Sequence, residues 1–93
     1  MDRSDVYKHI DLERIYQDDV WGKFRNDLGI DSDDKISISE WILYMEKHMN
    51  QAKDMIYSLE YERSLVEIRK ITAIGVKIME IYGCPPRNIS VDE

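Results

Sequence analysis

The segment around EIRKITAIGVKIMEIYG, Glu67 to Gly83, is too apolar for a helix with one wet face. Leu65, Ile68, Ile71, Ala73, Ile74, Val76, Ile78, Met79, Ile81 and Tyr82 fill far more than one narrow stripe, and only Arg63, Glu67, Lys70 and Lys77 mark a polar side. A helix of this kind, expected from about Glu62 to Tyr82, has to be covered on two sides. A chain of 93 residues has barely enough other helix to do so. The expectation is an all-α fold, a small bundle of about three helices, one short and two long, that forms a homo-oligomer through this C-terminal helix. Gly83 with Pro85 and Pro86 stops the helix, and the tail 88–93 is expected to fray.

The other elements follow from their punctuation. Ser37 and Glu40 fit the S-x-x-E capping box, which starts a helix near Ile38. From there Ile38, Trp41, Ile42, Met45, Met49, Ala52 and Ile56 keep a helical stripe. A break is expected at Ser58 to Glu60. Upstream, Arg3 to Asp18 reads as a short helix with apolar residues at Val6, Ile10 and Ile15. Between the two, Gly22, Gly29 and repeated Asp and Asn residues suggest a loop over 19–36, long enough to suggest a functional role. The whole, 1–93, reads as one domain.

Within that loop, DSDDKISISEW (Asp31 to Trp41) resembles half of a calcium-binding EF-hand loop. With Glu40 at position 12, Asp31, Asp33 and Ser37 take positions 3, 5 and 9, but Gly29 falls on the first ligand position and Asp34 on the obligatory turn glycine. No metal site and no cofactor are expected. The net charge of -6 argues against a DNA- or RNA-binding surface, although a few cations gathered locally can still hold a small phosphate ligand. No run is long and apolar enough for a membrane span, and the start lacks the apolar core of a signal peptide. The single Cys84 fits a reducing compartment.

Catalysis is disfavoured by spacing. A helical magnesium-dependent pyrophosphohydrolase wants E-x-x-E and E-x-x-D pairs on facing helices, whereas Glu46 is followed three on by Met49 and Glu67 by Lys70. His9 and His48 cannot be paired from sequence, and each is expected as a surface or half-buried residue.

Four blocks in order carry a resemblance: ERIYQDDVWG (Glu13 to Gly22), KISISEW (Lys35 to Trp41), EIRKITAIGVKIMEIYG and CPPR (Cys84 to Arg87). Together they resemble the small phage proteins that defeat CBASS immunity by sequestering cyclic oligonucleotides. The resemblance implies an all-helical homohexamer, acting in the cytoplasm of the infected host, that binds cyclic dinucleotides without cleaving them and in some members also cyclic trinucleotides in a separate pocket. It implies that Tyr16 stacks on a base, that Lys35 contacts phosphate and that Ser37 supplies a hydroxyl. For the trinucleotide pocket it points to Arg69, with Thr72 one turn on. The Asp-rich loop departs from the pattern by placing negative charge near Lys35. The same block order also occurs in phage proteins distantly like the MazG-like nucleoside triphosphate pyrophosphohydrolases, which stand as the alternative. Each residue keeps a plainer reading: Tyr16, Trp21 and Trp41 as core aromatics, Lys35 as a solvated loop residue, Arg69 as the partner of Glu62 or Glu67.

Overall fold

The computed structural model describes residues 1–28 and 35–88, with the side chains of 24–28 outside that description. Three helices account for nearly all of it: α1 (Arg3–Leu28), α2 (Ile38–Tyr57) and α3 (Tyr61–Tyr82), and no strand occurs among the described residues. The all-helical class and the number of helices agree with the sequence reading. The first helix does not. It is the longest of the three, passing through Gly22 to Leu28, so the loop expected over 19–36 shrinks to the stretch between Leu28 and Ile38, of which 29–34 lie outside the described residues. One glycine costs a helix about 1 kcal/mol, and tertiary contacts of Gln17 and Trp21 on the inner side of this segment outweigh it.

Each boundary has a local cause. The Asp2 carboxylate accepts from the Asp5 amide at 2.9 Å and caps α1. Ser37 caps α2: its Oγ accepts from the Glu40 amide at 3.2 Å and donates to Glu40 Oε1 at 3.1 Å. The turn from α2 to α3 is a Schellman motif, with Glu60 N donating to Met55 O at 2.8 Å and Leu59 N to Ile56 O at 3.0 Å. The left-handed position there, usually glycine, is held by Leu59 at φ 60°. At the far end Gly83, at φ 105°, donates to Met79 O at 2.8 Å and turns the chain out of α3.

The hairpin of α2 and α3 is antiparallel: His48 meets Glu67 midway along α2, and the Tyr82 hydroxyl at the end of α3 donates to the Ile36 carbonyl ahead of α2. Helix α1 packs on α3. The apolar core is small. Trp41, Ala52, Ala73 and Ile74 are its only fully buried apolar members among the described residues.

Around that core the helices bury polar groups and expose apolar ones. On α1 the buried residues are Glu13, Arg14 and Gln17, while Leu12, Ile15, Tyr16 and Val20 face outward. Leu65, Val66, Ile68, Met79 and Tyr82 of α3 and Ile42, Leu43 and Ile56 of α2 are also exposed. The chain presents 7267 Å² to solvent, against about 5,700 Å² for a compact monomer of its mass. The polar side of α3 is partly turned inward: Glu67 is only 4% exposed, and Lys70 and Lys77 turn toward carboxylates.

Candidate functional site

The buried polar groups form two linked clusters. In the first, Arg14 on α1 reaches α3. Its Nε donates to Glu80 Oε1 at 3.0 Å and its Nη2 to Glu80 Oε2 at 3.2 Å, a two-pronged pairing that only a guanidinium makes. The same Nη2 donates to Asp18 Oδ1 at 2.9 Å, and Nη1 to Gln17 Oε1 at 3.4 Å. Gln17 passes the link on through Nε2 to the Lys70 carbonyl at 3.2 Å. Burial alone would lower the Arg14 pKa, but the hydrogen bonds and charges of Glu80 and Asp18 outweigh it and hold the pKa above its usual value.

In the second cluster the Glu67 carboxylate sits between His48 Nδ1 at 2.7 Å and Lys70 Nζ at 3.4 Å. Burial would push this carboxyl up. The hydrogen bond from His48, with the nearby charges of Lys70 and His48, more than offsets it, and the pKa lies below the ordinary carboxylate value. An ionised Glu67 can only accept, so the proton of this contact lies on His48 Nδ1. Beside it, Arg69 Nε donates to Glu13 Oε1 at 2.7 Å. Arg69 is therefore tied across to α1, and not to Glu62 or Glu67 on its own helix.

Above these clusters a cleft of about 130 Å³ opens between α1 and the α2–α3 hairpin. Tyr16, Val20, Trp21, Tyr44 and Ile74 line it with carbon, and Glu13, Gln17, His48 and Lys70 supply its polar groups. The aromatic rings hold one another in place. Trp21 lies 5.2 Å from Trp41 and 6.1 Å, edge to face, from Tyr44, whose ring in turn meets His48 at 5.3 Å. Trp41 is thus a core residue, as its plainer reading has it. Tyr16 is not: 63% of it is exposed, at the mouth of the cleft. A wider groove of about 620 Å³ beside the start of α1, lined among others by Arg3, Tyr7, Lys8 and Arg14, contains none of the residues named from sequence.

The five residues named from sequence do not converge within one chain. Tyr16 belongs to the cleft, and Arg69 touches its edge through Glu13. Lys35 and Ser37 lie at the start of α2, near the Tyr82 end of α3 through the Tyr82–Ile36 bond. Two turns of α3, about 12 Å, separate Tyr82 from Ile74 in the cleft. Thr72 is exposed, with its hydroxyl donated to the Ile68 carbonyl at 2.8 Å. Ser37 is engaged as a helix cap.

Glu13, Gln17, Tyr44, His48, Glu67 and Lys70 are the site's contribution that sequence reasoning missed. A signal existed: Ile10, Glu13, Gln17 and Trp21 recur at helical spacing on one side of α1, so the inner stripe is readable once polar residues are allowed into it.

Among the described residues, no group of three or more His, Cys, Asp or Glu side chains could hold a metal ion, and the acidic residues of the EF-hand reading, Asp31, Asp33 and Asp34, fall outside them. No helix among the described residues is long and apolar enough to cross a membrane. In comparisons with known proteins no family model matches this chain, and no curated protein or solved structure matches it.

Proposed function

We propose that this chain is a non-catalytic binding protein that sequesters cyclic oligonucleotide second messengers, cyclic dinucleotides first and cyclic trinucleotides at a second place, and so blocks CBASS signalling in the cytoplasm of an infected bacterium. The observation that carries the reading is the placement of Tyr16. A tyrosine serving only the core would be covered, whereas this one stands in solvent over an aromatic cleft, where stacking on a base contributes about 1–3 kcal/mol.

Assembly fits the same reading. Tyr16 and the pair Lys35 and Ser37 lie in separate regions of one chain, so a ligand that touches both is held between copies. The outward apolar residues of α1, α2 and α3 are surface of the kind that standard interfaces of about 800 Å² per partner cover. A homohexamer provides such interfaces. Arg69 keeps its two terminal nitrogens without partners among the described residues, which supports the role for it, with Thr72, in a trinucleotide pocket.

A non-catalytic role is supported by the use made of the acids. Glu13, Asp18, Glu67 and Glu80 each sit against a Lys or Arg of the chain itself, which neutralises charge that a pyrophosphohydrolase would direct at magnesium. The test is depletion. Cyclic dinucleotide incubated with the protein, with and without magnesium, is expected to disappear from the filtrate and to return intact after denaturation. Linear products in the recovered fraction, or pyrophosphate released from nucleoside triphosphates, would replace this reading with the hydrolase one.

A further inference from the structure

The cleft under Tyr16 is about 130 Å³ in volume, room for one planar base and not for a whole cyclic dinucleotide. We propose that it is a base-reading pocket selective for guanine, with the ring between Tyr16 and Tyr44 and its hydrogen-bonding edge on Glu13 and Lys70. This inference rests on the nucleotide-binding reading of Tyr16 and adds to it which base the site accepts.

The polar groups left over in the cleft decide the base. Glu13 uses Oε1 for Arg69 at 2.7 Å, and its Oε2 has no partner among the described residues. Glu13 is itself buried, and it lines the cleft, so that oxygen is an acceptor with water excluded from most sides. Lys70, with Nζ held only by the 3.4 Å contact to Glu67, is the donor. An acceptor and a donor complement the edge of guanine, which offers N1–H and the 2-amino group side by side as donors to a carboxylate oxygen and O6 as acceptor to an ammonium. Adenine offers one amino group beside the ring acceptor N1, and N1 facing Glu13 would set two acceptors together in a partly dry site, a mismatch that is costly.

The rings are set for a flat guest. Tyr44 is fixed edge to face by Trp21 and in contact with His48, so the inner wall is rigid, while Tyr16 is free to close from outside. Stacking alone would accept any base. Selectivity has to come from the floor.

Equilibrium binding of the intact protein to cyclic di-guanylate, cyclic di-inosinate and cyclic di-adenylate, with guanosine and adenosine monophosphates alongside, tests this. Inosine lacks only the 2-amino group, so the comparison needs no variant. The expectation is that the guanine ligand binds ten- to hundredfold more tightly than either of the others, and that Glu13→Gln narrows the gap between guanine and inosine. If Glu13→Gln fails to fold, because Arg69 loses its partner, the inosine comparison in the wild-type protein still decides. Equal affinity for all three cyclic dinucleotides overturns the guanine pocket and leaves the sequestration reading intact. Binding of guanosine monophosphate in preference to adenosine monophosphate, with no cyclic dinucleotide bound, does the reverse. No binding of any of the five ligands overturns both.

Discussion

Replacing Arg14 with methionine removes the charge that joins α1 to α3 and keeps most of the side chain's length. Arg14 is 4% exposed and makes two hydrogen bonds to Glu80, one to Asp18 and a longer one to Gln17. Bonds to charged groups contribute about 1.5–3 kcal/mol each when the partners are buried as well. Here Asp18 and Glu80 are about half exposed and recover water once the arginine is gone, so the full sum does not apply. The residual cost comes from Gln17, left buried with one side of its amide unpaired, and from the loss of the two-pronged contact. We expect about 2–3 kcal/mol. Thermal unfolding followed by circular dichroism at fixed protein concentration would then show a fall of about 10–20 °C. Arg14→Lys, a point charge that cannot fork, should fall between the two. A methionine variant within about 0.5 kcal/mol of wild type, or more stable than it, would refute the reasoning. It would mean that α1 is held by something other than this ion pair.

Three further outcomes follow from residues already described. The Glu67 pKa is lowered in the fold, so its ionised form contributes stability that is fully present above its ordinary value of 4.5 and is lost as pH falls through the lower folded value; Glu67→Gln should therefore flatten the acid side of a stability-versus-pH curve, and an unchanged slope would count against the His48–Glu67 pair. Ser37→Ala should lower stability by about 1 kcal/mol through loss of the helix cap, whereas Lys35→Ala should leave the melting temperature in place and weaken cyclic dinucleotide binding; equal melting temperatures for the two variants would remove the capping role. Gly75→Ala should stabilise by about 0.5–1 kcal/mol in chemical denaturation, because the added methyl would lie 3.8 Å from Met45 Cε, an ordinary contact, in the interior of a helix; destabilisation would show that the packing there is tighter than this.

Much of the fold is legible from punctuation. Ser37 with Glu40, the break at Ser58 and the stop at Gly83 each placed a boundary within a residue or so of where it occurs, because caps and turns depend on local chemistry. Helix α1 was misread for the opposite reason. Asp18, Asp19 and Gly22 argue locally for a loop, and what keeps the helix going is its inner side, where Gln17 reaches the Lys70 backbone and Trp21 packs on Trp41. The candidate site was legible only through Tyr16. Glu13, His48, Glu67 and Lys70 look like ordinary helix-surface residues one by one, and their meaning depends on which helices face each other, information that residue spacing within one helix does not contain.

The ion pairs of Arg14 also determine how steadily the site is presented. A greasy contact lets one helix slide or roll over another by a fraction of a turn at little cost, since oil has no preferred registry. A forked guanidinium gripping Glu80, two residues before α3 ends, permits neither. Tyr16 sits two residues from that anchor on α1, so its backbone is in place before any guest arrives, and only the ring is left to order. Under the sequestration proposed above, a stiff hinge-free mounting is worth more than a larger contact surface.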